Sequence, residues 1–344
     1  MFFGSDNTSG VHPKLMEALT KANDGYASPY GTDRWTAELT ERLRDLFQAP
    51  DALVYPMTSG TGTNAAILAA MTPPWGIIYC HKTAHIEVDE RNSVPFYSGG
   101  AKLKPLPGTA SRLAPEELHG EVISDGAKDD IHASPPAAVS LTNLTEFGEL
   151  YRPADIAAIA DAAQLPLHLD GARFANAMAA SHASPWEMTR EISALSLGAT
   201  KTGAMAAEAA ILFDPSLKNA FESNRMRGGH NLSKARYVSA QILAWLQDDL
   251  WLELATQANA MGARLAAGIT EIGGELAYEV AGNMVFARLT RAQHAKAKAR
   301  GAVYNLWGAQ PVIGDPDQPM LARFVASWST TEADVDALLA TLTD

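Results

Sequence analysis

Two short segments carry an amine and a carboxylate in settings that would change their ordinary behaviour. In Leu167-His168-Leu169-Asp170-Gly171-Ala172-Arg173 an apolar run ends at a carboxylate, then turns through glycine into an arginine. Downstream, the apolar run Ile192–Leu197 leads into Gly198-Ala199-Thr200-Lys201-Thr202-Gly203. Taken singly, each has a plain structural reading: Asp170 as a helix N-cap and Lys201 as a loop lysine. Taken together they suggest chemistry. In open α/β sheets ligands sit beyond the carboxyl ends of strands, which is where Asp170 falls. A lysine in a tight turn of small residues can be desolvated and kept neutral, as Schiff-base formation requires, whereas a solvated lysine with pKa about 10.4 is protonated at pH 7.

A neutral amine after one strand and a carboxylate after another match the needs of pyridoxal 5'-phosphate (PLP): a Schiff base for the aldehyde and an anion for the protonated ring nitrogen. The phosphate needs donors as well. Thr58-Ser59-Gly60-Thr61-Gly62-Thr63-Asn64 lies between the apolar run Ala52–Tyr55 and an Ala-rich stretch. Small residues there would let helix N-terminal amides approach a dianion, with hydroxyls alongside.

The elements that must position these groups read as a wound α/β domain. Strand candidates are Ala52–Tyr55, Ile77–Cys80, Lys102–Leu106, Ala137–Leu141, Leu167–Leu169, Ala194–Leu197 and Ala209–Phe213, separated by amphipathic stretches such as Thr36–Phe47 and Ala154–Gln164. After Asn231 come two long helical patterns, Ser233–Gln247 and Leu250–Ile272. A smaller α/β unit follows, with strand candidates Met284–Leu289 and Leu321–Trp328 and a last helix Glu332–Leu342 capped by Thr331. The expected division is an N-terminal arm over 1–16, a large domain over 17–235 and a small C-terminal domain over 236–344.

Composition narrows the function. Among 344 residues, 39 acidic side chains outweigh 27 basic ones, and no basic run stands out, which argues against nucleic acid as a partner. No run of apolar residues is long enough for a membrane span, and the N-terminus lacks a positively charged leader. The single cysteine, Cys80, lies in an apolar stretch and reads as core. A cytoplasmic protein acting on a small molecule is expected. No metal site is indicated.

The chain resembles the threonine aldolase and β-eliminating lyase family of fold-type-I PLP enzymes over nearly its whole length. The matching pieces, in order, are Ser5-Asp6-Asn7-Thr8, Tyr30-Gly31, Ser59-Gly60-Thr61, Ala84-His85-Ile86, His168-Leu169-Asp170-Gly171-Ala172-Arg173, Thr200-Lys201 and the strand around Arg323. The resemblance implies an aspartate aminotransferase-like fold, with a mostly parallel seven-stranded sheet and a smaller C-terminal α/β domain, assembled as a homodimer or homotetramer. It implies that Lys201 carries the cofactor, that Asp170 pairs with the ring nitrogen and that His85 stacks on the ring and serves as the base. It also implies that Ser59, Gly60, Thr61, Arg173 and Thr200 complete the cofactor site, and that Ser5, Tyr30, Arg173 and Arg323 surround an amino-acid substrate. Planar guanidinium groups suit a carboxylate.

Two departures stand out. A histidine expected soon after the Asn of the fourth large-domain strand is missing from Asn143-Leu144-Thr145-Glu146-Phe147-Gly148, with Thr145 nearest its place. An arginine expected to reach the phosphate is replaced within Gly228-Gly229-His230-Asn231, leaving Arg225, Arg227 and Lys234 as substitutes. The implied activity is cleavage of L-3-hydroxy-2-amino acids (threonine, allo-threonine, phenylserine) to glycine and an aldehyde. The alternatives are β-elimination and a non-catalytic binding protein of the same fold. Trp75, Phe96, Tyr97 and Trp186 are candidates for receiving an aromatic substituent, or else core and interface residues.

Overall fold

The computed structural model describes residues 1–127, 131–308 and 313–343. Its seven-stranded sheet comprises β1 (Leu53–Met57), β2 (Ile77–His81), β3 (Lys102–Leu106), β4 (Pro136–Thr142), β5 (Leu167–Gly171), β6 (Ala194–Gly198) and β7 (Glu208–Leu212), in the order β1-β7-β6-β5-β4-β2-β3. Neighbours are parallel except that β7 runs antiparallel to both β1 and β6. Every residue of β5, β6 and β7 is buried, as expected when helices cover both faces of a sheet.

The helices that cover it follow from periodicity and caps. Helix α1 (Pro13–Ala22) opens on a proline, and α2 (Arg34–Phe47) is capped by Asp33, whose carboxylate accepts from Thr36 N at 2.9 Å. Leu39, Leu43 and Phe47 face inward from α2, and the helix stops at Gln48 in the left-handed region. Helix α3 (Gly60–Met71) packs Ala66 and Ile67 against Met57, Ala194, Ala210 and Leu212 on one sheet face. Helix α4 (Lys218–Arg227) follows β7 and adds Phe221 to that cluster.

A second sheet has the order β8 (Glu275–Leu276), β9 (Met284–Thr290), β11 (Pro319–Val325), β10 (Asn305–Leu306), all antiparallel. The helices α5 (Arg236–Leu246) and α6 (Leu250–Glu271) are separated by Asp248 and Asp249, both at positive φ. The last helix, α7 (Glu332–Thr343), is capped as expected: Asp334 N donates to Thr331 Oγ1.

One expected boundary shifts. The strand placed at Leu321–Trp328 ends at Val325, because the chain turns through Ser327–Thr330. The packing of the two long helices spans both hydrophobic cores. Val238, Ile242, Trp245 and Leu246 of α5 and Leu250–Ala255 of α6 belong to the large core, and α6 enters the second core only from Met261. The arm is docked rather than extended, with Phe3 fully buried in the second core.

Candidate active site

Beyond the carboxyl ends of β5 and β6 lies a cavity of about 260 Å³. It brings together Lys201, Thr200, Asp170, His85, Ser59, Gly60 and Thr61, seven side chains or backbone positions expected at one site and drawn from four separate stretches of chain. Lys201 reaches it from the short 3-10 turn Thr200–Thr202 that connects β6 to β7. Gly203 ends that turn at φ +102, and a Cβ there would meet Leu254 at 3.0 Å. Among the described residues the Lys201 ammonium makes no hydrogen bond or ion pair.

Asp170, 3% exposed, is fixed from two sides. Its Oδ1 accepts from Ala172 N at 3.0 Å and its Oδ2 from Asn64 Nδ2 at 2.9 Å. Asn64 also donates to buried Glu90 Oε1 at 3.0 Å, and its own Oδ1 is buried without a partner among the described residues. Glu90 Oε1 in turn lies 2.7 Å from His85 Nδ1, and Ser93 donates to Glu90 Oε2 at 2.9 Å. The bond to Glu90 raises the His85 pKa above the usual imidazole value against the opposing effect of burial, with Asp170 and Glu146 adding to the rise.

Opposite stands the N-terminus of α3. Ser59 is its N-cap, accepting from Gly62 N at 3.4 Å, and the amides of Gly60 and Thr61 have no carbonyl to bond within the helix. His230 lies against this first turn: a Cβ on Gly62 would sit 2.4 Å from its Nε2, which is itself 3.1 Å from Tyr97 Oη. None of the three basic residues considered as phosphate partners lines the cavity. Arg227 and Lys234 are exposed. Arg225 donates to Asn231 and to the Pro56 carbonyl, and lines a different cavity of about 420 Å³ together with Tyr30.

The remaining expected residues divide. Tyr30, at positive φ, is in that second cavity and not beside Lys201. Ser5 caps the turn Asp6–Thr8, accepting from Asn7 N at 3.2 Å, and it is Asn7 that enters the Lys201 cavity. Arg173 is buried and forks onto Asp6 at 2.8 and 3.1 Å. Burial alone would raise the Asp6 pKa, but Arg173 and Lys201 overrule it and hold the carboxyl below its ordinary range. Arg323, on β11, lies over Trp307, and its buried Nε has no partner among the described residues. Burial and the nearby Arg173 push its pKa down. Trp75, Phe96 and Trp186 are exposed, and Tyr97 packs on Gly228 and His230, so none of the four lines the cavity.

Seven further residues line the site, Thr58 and Ala172 among them. Asn64 and Glu90 line it and tie Asp170 to His85. Asn7 and Glu146 line it from the arm and from the segment after β4. Glu208 opens β7 opposite Gly198, and its Oε1 accepts from Thr200 Oγ1 at 2.6 Å. Burial pushes the Glu208 pKa up to about 7, with Thr200 and Lys201 opposing. A partnerless amine, a fixed buried carboxylate and a helix N-terminus around one cavity fit an aldehyde, a pyridinium and a phosphate on a single molecule.

The β-eliminating lyase family model matches residues 3–292. The low specificity L-threonine aldolase of Pseudomonas aeruginosa is 35% identical over 334 residues, covering 95% of this chain and 93% of that protein. The enzyme of the same description from Pseudomonas sp. (strain NCIMB 10558) is 34% identical over 344 residues, with 98% and 96% covered. A solved threonine aldolase from Leishmania major superposes with a TM-score of 0.91 at 26% identity, covering 99% of this chain and 98% of that one. Since the family model spans most of the sequence and these relatives align along nearly all of it, the chain belongs to the β-eliminating lyase family.

Proposed function

We propose that the protein is a PLP-dependent carbon–carbon lyase that cleaves L-3-hydroxy-2-amino acids, threonine and allo-threonine among them and phenylserine at the broad end, into glycine and an aldehyde. The observation that carries this reading is the placing of Lys201, without a partner, and Asp170, held by Asn64 and Ala172, on one cavity. The names of the relatives support the choice of reaction. PLP, when bound, supplies a sink for the electron pair left on Cα when a bond to that carbon breaks.

The chain's own groups have separable tasks. Lys201, whose amine lines the cavity, would hold the cofactor's aldehyde carbon. Asp170 would pair with the ring nitrogen and favour its protonated form, and its two hydrogen bonds fix the carboxylate in place. Ser59, Gly60, Thr61 and Thr200 would hold the phosphate, and His85, steered by Glu90, would contact the cofactor. Arg323 takes the substrate carboxylate, because it is a cation whose buried Nε has no partner among the described residues. Arg173 acts beside it through Asp6, and Ser5 sets the turn that carries Asn7. Exposed Tyr30 and Met226 on the rim of the second cavity support a homodimer or homotetramer in which Tyr30 serves a neighbouring site. No helix among the described residues is long and apolar enough to cross a membrane. Together with one buried cysteine, this supports a cytoplasmic setting.

Spectral titration of the purified protein with glycine, threonine and phenylserine isomers, with product analysis, tests the reading. Glycine plus aldehyde is the expected outcome, while pyruvate plus ammonia would assign β-elimination instead. Lys201→Ala should abolish both the visible absorbance of the bound cofactor and turnover; a coloured, active variant would remove Lys201 from its role.

A further inference from the structure

Cleaving a 3-hydroxy acid between Cα and Cβ requires a group that accepts the hydroxyl proton. Besides Lys201, five titratable side chains line the cavity; Asp170, Glu90 and Glu208 are buried and held by Asn64, Ser93 and Thr200, which leaves His85 and Glu146. His85 is poorly suited. Its Nδ1 is bound to buried Glu90, and Asp170 and Glu146 add negative charge nearby, so the ring is held towards its cationic form, which has no lone pair to offer.

Glu146 is differently placed. Among the described residues its carboxylate has no hydrogen bond or ion pair, yet it lines the cavity and lies close enough to His85, Arg173 and Arg323 for their charges to interact with it. Its backbone is fixed by a tight turn, with Gly148 N donating to Thr145 O at 2.9 Å and Thr145 N to Glu149 O at 3.0 Å. Gly148 adopts φ +83 against Met284, which favours glycine there. The neighbouring Thr145 cannot do the work, because its hydroxyl is buried and engaged by Ser111 Oγ at 2.5 Å and Glu149 N at 3.0 Å.

We propose that Glu146 is the catalytic base that accepts the substrate's β-hydroxyl proton. This rests on the aldolase reading above. The O–H bond breaks and its proton passes to the carboxylate, while the O–H electron pair becomes the second bond of the aldehyde carbonyl. The Cα–Cβ bond breaks, and its electron pair stays at Cα, where bound PLP would supply the electron sink. Glu146 releases its proton to solvent, and solvent returns one to Cα, so glycine and aldehyde form with no net gain or loss of protons.

The holoenzyme variants E146Q and E146D test this, with wild type as reference. E146Q should keep the cofactor spectrum, lower kcat for threonine roughly 10²–10³-fold, and leave exchange of the glycine α-proton in deuterated water within about twofold. Equilibrium spectral titration adds a readout independent of turnover. L-serine carries the hydroxyl that L-alanine lacks, and its advantage over alanine should fall from about tenfold or more in wild type to under about threefold in E146Q. E146D, which keeps the carboxylate, should restore part of both. Threonine cleavage by E146Q within about threefold of wild type would overturn the proposal. So would equal losses of cleavage and glycine exchange, which would mark a structural role. Wild type that makes no glycine from any 3-hydroxy acid would instead overturn the aldolase reading itself.

Discussion

Asp6 sits at the junction of an ion pair and a domain contact. It accepts both fork nitrogens of buried Arg173, and Asn283 Nδ2 donates to it at 3.0 Å. Removing one member of a buried pair leaves the other charge stranded, at a cost of about 3–5 kcal/mol. Asp6→Asn should therefore lower stability by that order in chemical denaturation, and a change under about 1 kcal/mol would show that solvent reaches Arg173. Glu208 makes a different claim. Its pKa rises from the usual 4.5 to about 7 on folding, chiefly by burial. The native state therefore binds a proton that the unfolded chain has released between those values. The associated stability is complete below about pH 4.5 and disappears as pH rises through 7, a change of about 3 kcal/mol at most. In the cofactor-free protein, E208Q should gain on wild type in melting temperature as pH goes from 5 to 8; a flat difference would contradict this. Lys201 and Asp170 were legible because Asp170 stands near the end of one strand and Lys201 just after another, each beside a turn of small residues, a signal contained within a few positions. Glu208 was not, since the run Glu208–Leu212 gives no sign that its strand is antiparallel, and only that direction brings its first residue to the site.

Elements were more readable than contacts between them. Short runs bounded by turns located all seven strands of the large sheet to within a residue or two; six are largely apolar because helices cover both faces, whereas the edge strand β3 (Lys-Leu-Lys-Pro-Leu) buries only Leu106. Helices α1 and α4 were not assigned: α4 is polar nearly all round, burying only Phe221 and Arg225, so periodicity had little to show. Nor could sequence show what stands over α3. Asn64 joins carboxylates 26 and 106 residues away, and His230 occupies the space a side chain at Gly62 would need. Gly62→Ala should push the His230 ring off Tyr97 and cost about 1–3 kcal/mol. His230→Ala empties that space, so the double variant G62A/H230A should recover most of the G62A loss, read as a coupling in a double-mutant cycle. Simple additivity of the two penalties would place the strain elsewhere.

The arm ties two cores together by alternating its attachments. Phe3 is buried in the small core, with its N–H on Val303 O at 2.7 Å and its carbonyl accepting from Val325 N at 2.8 Å. Asp6 then grips Arg173 of the large domain and Asn283 of the small one, and His12 N returns to Gly203 O at 2.8 Å, just beyond Lys201. Helix α6 is the other tie, since its first half packs in the large core and its second half in the small. Two ties make the cores behave as one cooperative unit; one tie is a hinge. Deleting residues 2–8 would remove Phe3, worth about 1.5–3 kcal/mol of burial, and leave Arg173 and Asn283 without Asp6. Calorimetry should show one transition for the full chain and, for the deletion, a small-core transition separating at lower temperature, because the smaller core has less apolar area to hold it. Glycine should then bind less tightly even though every residue lining the cavity except Asn7 is kept, since Arg323 is carried by the small domain and Lys201 by the large. A single transition displaced by less than a degree would mean that α6 alone couples the cores and that the arm merely rests on them.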